Sequence, residues 1–140
     1  AYSCGVPFLF VPVRDREAIG RAKIRQEIWE KTISKWWAPS VFVFTFETEI
    51  ADAQIHARMF APALGVVEDP ATGAAACALA GYLCDLEDSD GSFGWKIEQG
   101  FEMGRPSLIE LEADKIAGRI AAVRVGGRSV LISEGWINVD

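Results

Sequence analysis

Histidine and cysteine are scarce in this chain of 140 residues, which has one His and three Cys. The single histidine, His56, has no Cys, Asp or Glu neighbour at metal-ligand spacing, so no metal site is expected and His56 reads as structural. An odd number of cysteines without close pairing points to reduced thiols rather than a disulfide framework. Cys77 and Cys84 lie two helical turns apart, too far to share one ion, and read as core fillers. Cys4 precedes the apolar run Val6 to Val13 and reads as a small buried residue at a strand start, although it is the one candidate for a reactive thiol. Excess positive charge is also missing. With 14 Lys and Arg against 20 Asp and Glu, the net charge of −6 speaks against nucleic acid or a membrane surface as partner and favours a small molecule. No apolar run is long enough to cross a bilayer. No basic stretch followed by an apolar run and a cleavage site opens the chain, which predicts a cytoplasmic location. Repeats, low-complexity tracts and linkers are absent, so residues 1–140 read as one unit.

What is present is a globular composition, with half the residues apolar and 24% charged. From Ala71 to Cys84 there is no charged residue, and most side chains are Ala, Gly or Cys. A helix of that composition is apolar on every face and belongs inside, where small side chains let neighbouring backbone come close. Around it the sequence places strands at Val6 to Val13, Ser40 to Phe46, Gln54 to Phe60, Trp95 to Gln99, Ser107 to Glu112, Arg119 to Val125 and Arg128 to Ile132. Gly126-Gly127 is read as the hairpin turn between the last two. Asp15 suits a helix N-cap, and Ala18, Ile19, Ala22, Trp29, Ile33, Trp36 and Trp37 then share one arc. Ile24 and Ile28 fall on the other side of that arc, so either they touch a partner or the helix breaks near its middle. The expected fold is therefore α+β: a mixed sheet wrapped as a barrel around a central helix at about 72–86, with an outer amphipathic helix at about 15–37.

The start of the central helix is where chemistry is expected. Its first turn carries unpaired N–H groups and the positive end of the helix dipole, and Gly73 and Ala74 have almost no side chain to hold a ligand away. A carboxylate or phosphate fits there. Asp69, just outside, would accept from a substrate ammonium or hydroxyl. The same residues also make an ordinary helix start, with Asp69 as N-cap and Pro70 at the first helical position. Spacing alone leaves both readings open.

His56-Ala57-Arg58-Met59-Phe60-Ala61-Pro62, Gly65, Glu68-Asp69-Pro70-Ala71-Thr72-Gly73, Gln99-Gly100 and Gly104-Arg105-Pro106-Ser107 resemble the C-terminal half of the phenazine-biosynthesis PhzF-like proteins. The Ser3-Cys4-Gly5-Val6-Pro7-Phe8 opening and Val125-Gly126-Gly127 match too, so the resemblance covers nearly the whole chain. It implies one lobe of a diaminopimelate-epimerase-like fold, in which two similar lobes face each other across a cleft. It further implies an isomerase that shifts a proton on a small dihydro-hydroxyanthranilate-type acid without a cofactor. Asp69 takes the substrate-contacting role from this lobe, and Thr72, Gly73 and Ala74 become substrate-binding. The acid/base glutamate of the family belongs to the N-terminal lobe, which nothing in this chain resembles. Catalysis is therefore expected only with a second lobe, and the partner is either that lobe or a second copy in a homodimer. The alternative is a non-catalytic binding or structural domain. Two departures bear on this: Ala74 stands where the family commonly has Ser, and Pro70 where related epimerases have a cysteine.

Overall fold

Ser40–Thr45 is buried along its whole length, yet its side chains divide by the period of two that a strand imposes. Phe42 and Phe44 enter the core with the central helix, while Val41 and Val43 pack on the opposite face with Ile19 and Phe60. The same division runs through the sheet and decides which residues can reach the helix. In the computed structural model, residues 1–139 are described. Along them run β1 (Tyr2–Cys4), β2 (Val6–Pro12), α1 (Arg16–Gly20), α2 (Gln26–Thr32), β3 (Ser40–Thr45) and β4 (Ile55–Ala61). A 3-10 turn at Pro62–Leu64 leads to β5 (Val66–Asp69), α3 (Gly73–Asp85), β6 (Gly91–Gln99), β7 (Ser107–Ile116) and β8 (Arg119–Gly127).

The strands form one mixed sheet in the order β1-β2-β3-β4-β6-β7-β8, with β5 paired to β4 off that path. The β2–β3 and β4–β6 pairs are parallel and the others antiparallel. The sheet curls around α3 as a half-barrel, because the helix packs on β1 and β2 at one end and on β7 and β8 at the other. Ile55, Ala57 and Met59 of β4, Ile97 of β6 and Leu111 of β7 line the inner face against Leu79 and Leu83. The α+β architecture expected from the sequence is the one observed.

Four local expectations are corrected. The outer helix at 15–37 is two short helices rather than one. Asp15 caps α1 as expected, accepting from the Ala18 N–H at 2.8 Å. The helix then stops at Gly20, where Arg58 of β4 donates from Nη1 to the carbonyls of Ile19, Gly20 and Ala22 at 3.0, 3.2 and 3.1 Å. A guanidinium at the negative end of the helix satisfies carbonyls that would otherwise continue the ladder. The break brings Ile24 onto the outer cluster and leaves Ile28, Trp36 and Trp37 exposed.

The second correction is the hairpin. Gly126 and Gly127 lie inside β8, paired with Glu110 and Ile109, and the expected strand at Arg128 to Ile132 is irregular and exposed chain. The turn between β7 and β8 is Ala117-Gly118, with φ of 52° and 73°, the left-handed pair that a two-residue hairpin demands. Asp90, in the loop between α3 and β6, accepts from the N–H groups of Ala117 at 2.5 Å and Gly118 at 2.9 Å. Third, Cys4 is exposed at the end of β1 rather than buried at the start of a strand. Fourth, α3 is not covered all round: Ala74 is exposed, and Cys77 and Gly81, one and two turns on, are half-buried under β1.

Candidate functional site at the start of the central helix

The loop Asp69-Pro70-Ala71-Thr72 joins β5 to α3, and it is fixed from the next strand over. In β6, Ile97 and Gln99 share the inner face while Glu98 points outward, so Gln99 is a polar side chain aimed at the helix start. Its Oε1 accepts from the Thr72 N–H at 3.3 Å. Its Nε2 donates to the Asp69 carbonyl at 2.6 Å and to Thr72 Oγ1 at 2.9 Å. Ser107 Oγ lies 2.8 Å from the Pro70 carbonyl and 3.2 Å from that of Gln99. Gly100 completes the clamp: at φ +83°, a Cβ there would strike the Arg105 carbonyl and stand 2.8 Å from that of Pro70.

Asp69 faces Met59 across the β4–β5 pair and so shares its inner side. Thr72 Oγ1 donates to Asp69 Oδ2 at 2.7 Å, and no hydrogen bond among the described residues reaches Oδ1. The cap of α3 is thus Thr72, not Asp69, and it caps through its backbone, since the hydroxyl is turned to Asp69. The first helical bond runs from the Ala76 N–H to the Thr72 carbonyl at 3.0 Å. The N–H groups of Gly73 and Ala74 therefore have no acceptor among the described residues, and the dipole adds positive potential at that end.

An open hollow of about 780 Å³ lies against this tip, with Ala71, Gly73, Phe101, Ser107, Leu108 and Val125 among its lining. Lys96, Asp52 and Arg128 stand on its wall as well, Lys96 paired with Asp52. Of the four residues singled out from the sequence, Gly73 lines the hollow and Ala74 is exposed beside it. Thr72 is buried with its N–H and hydroxyl committed to Gln99 and Asp69. Asp69 is half-buried behind Thr72 and does not line the hollow.

The sequence did not single out Gln99 and Ser107 as positioning residues. The available signal was a glutamine on an otherwise apolar strand face. His56 and Arg58 point from β4 to the outer side of the sheet, away from this tip. His56 is buried, with Nδ1 2.5 Å from Glu98 Oε1 and Nε2 2.9 Å from Glu102 Oε1. Arg58 makes a two-pronged pair with Glu68 at 2.8 Å for each contact, and this pairing raises the basicity of its guanidinium. No group of metal-ligating side chains occurs among the described residues, and none of their helices is long and apolar enough to cross a membrane.

The chain is 39% identical over 138 residues to a protein of Mesorhizobium japonicum described as an uncharacterised isomerase, covering 96% of this chain and 46% of that one. It is 46% identical over 84 residues to the trans-2,3-dihydro-3-hydroxyanthranilate isomerase of Pseudomonas chlororaphis, covering 59% of this chain and 30% of that enzyme. Among solved structures, a PhzF-family phenazine biosynthesis protein of Bacillus anthracis superposes with a TM-score of 0.74 at 23% identity, over 94% of this chain and 48% of that one. That likeness establishes the fold, and the chain spans about half the length of the curated relatives it matches. The family described as phenazine biosynthesis-like protein matches residues 1–135, and the chain belongs to this PhzC-PhzF family.

Proposed function

We propose that this chain is one lobe of a PhzF-like isomerase, binding a small amino or hydroxy carboxylic acid at the start of α3. The observation that carries the reading is the clamped Asp69 to Thr72 loop, which leaves two first-turn N–H groups without acceptors beside an oriented aspartate. The substrate carboxylate takes the amides of Gly73 and Ala74. Asp69, although behind Thr72 and outside the lining of the hollow, is the catalytic-side contact through Oδ1, the oxygen that Thr72 leaves without a donor, and accepts from a hydroxyl or ammonium of the substrate. Thr72 acts on the substrate by fixing Asp69, with its own polar atoms already occupied. The substrate class is supported by the Pseudomonas relative, named for a dihydro-hydroxyanthranilate.

The chemistry is a proton shift without a cofactor, and it requires a second wall. A single carboxylate at a helix start cannot both remove and return a proton in a site open to water. The second wall is a complementary N-terminal lobe or, for the chain alone, a second copy, and the setting is the cytoplasm. Calorimetric titration of the folded chain with a dihydroanthranilate-like acid tests the binding step. Asp69→Ala is expected to weaken affinity by about tenfold, the value of one charge-assisted hydrogen bond of about 1.5 kcal/mol. Unchanged affinity in a folded variant removes Asp69 from the site.

A non-catalytic binding domain is the second reading, favoured by Ala74, which offers no hydroxyl beside the first-turn N–H groups. Turnover of the same acid, assayed with this chain alone and mixed with a separately expressed N-terminal lobe, separates the two. Activity in the mixture supports the isomerase lobe, and binding without turnover in either supports the second reading.

A further inference from the structure

Tyr2 and Cys4 are alternate residues of β1 and point to the same side, toward α3. The Tyr2 ring lies so close over Gly81 that a Cβ at that glycine would collide with it, and its hydroxyl donates to Asp85 Oδ2 at 2.6 Å. Edge contact with Tyr82 and a tilted contact with Phe10 hold the ring in that place. Two residues along a strand advance about 6.6 Å and four along a helix about 6 Å. One step from Tyr2 to Cys4 therefore matches one turn back from Gly81 to Cys77, where burial first and the Cys4 thiol second push the Cys77 thiol up. Cys4 is exposed, Cys77 half-buried, and Cys84 buried two turns away.

We propose that Cys4 and Cys77 are a modification site, a thiol pair that closes to a disulfide and ties β1 to α3 one turn below the helix tip. The oxidant is a low-molecular-weight disulfide such as glutathione disulfide. The exposed Cys4 thiolate attacks one glutathione sulfur, that S–S bond breaks, and the first glutathione thiolate leaves. Cys77 then attacks the Cys4 sulfur, displacing the second glutathione. Two protein thiols are oxidised, one glutathione disulfide is reduced to two thiols, and these take up the two protons. Burial pushes the Cys77 thiol up, so it reacts slowly with an outside disulfide, and its place beside Cys4 makes it the resolving group. This pairing does not depend on the small-acid reading of the helix tip.

The test is incubation of the folded chain with glutathione disulfide, alkylation of the remaining thiols, and peptide mapping by mass spectrometry. The expected product links Cys4 to Cys77 and leaves Cys84 alkylated. Cys77→Ser should trap glutathione on Cys4, while Cys84→Ser should close the same bridge as the native chain. Closure should be at least about tenfold faster folded than in urea, since the fold supplies the proximity. A stable glutathione adduct on Cys4 of the native chain, a Cys4 to Cys4 dimer, a Cys77 to Cys84 link or unreacted thiols throughout would each overturn it.

Discussion

The Gln99 amide holds the site loop with three hydrogen bonds, two of them to Thr72, and is itself fully buried. Gln99→Leu, close in volume, leaves the Thr72 N–H and the Asp69 carbonyl without partners. A loss of about 2–3 kcal/mol of folding stability is expected in urea titration, the cost of stranding buried polar groups. Weaker binding of a carboxylate should accompany it although Gln99 touches no ligand. The start of α3 at Gly73 was legible because helix-start chemistry is local: a proline and small residues in one run. Gln99 was not, because its partners lie 27 and 30 residues away. His56 was read without acidic neighbours for the same reason: Glu98 and Glu102 reach it from 42 and 46 residues along the chain.

Elements were legible where their period was strong and misjudged where a distant side chain set their ends. The strands β2, β3, β4, β6 and β7 and the central helix follow from alternation and composition, whereas β1 and β5, three and four residues long, are too short to show a period. The end of α1 does not, because the group that satisfies its last carbonyls is Arg58, carried on β4. The glycine pair was read as a turn although it lies within β8, and the turn of the β7–β8 hairpin escaped notice because Ala117, a residue that seldom adopts positive φ, takes it with Asp90 behind it. Ala117→Asn suits that backbone better and should stabilise the chain by about 0.5–1 kcal/mol, seen as a higher urea midpoint with unchanged slope.

The contact of β1 with α3 has its own signature in pH. The hydrogen bond from Tyr2 to Asp85 is the main cause that pushes the phenol up to about 12, from an ordinary 10.0. Because the folded value lies above the unfolded one, this contribution is complete below pH 10 and is lost as pH rises through about 12. Tyrosinate absorbance should show a titration near 12 that Tyr2→Phe removes.

At the scale of the whole molecule, apolar surface collects beyond the last strand. Val130, Leu131, Ile132, Trp136 and Ile137 are between 79% and 96% exposed, although single apolar residues elsewhere on the surface need no partner. A contiguous stretch of this kind is typical of an association surface. Light scattering of the isolated chain is expected to give a dimer mass at high concentration, and addition of an N-terminal lobe should replace that species with a one-to-one pair. A monomer at all concentrations that also ignores the added lobe would rule out both partners.

The first and last strands both rest on α3, which has a consequence for synthesis. While the chain is emerging from a ribosome, the alanine-rich helix is complete well before β7 and β8 exist to cover it. Its apolar faces must wait, shielded by half a sheet or a chaperone, until the final hairpin arrives. Refolding of the finished chain should accordingly be limited by that late, distant pairing rather than by helix formation.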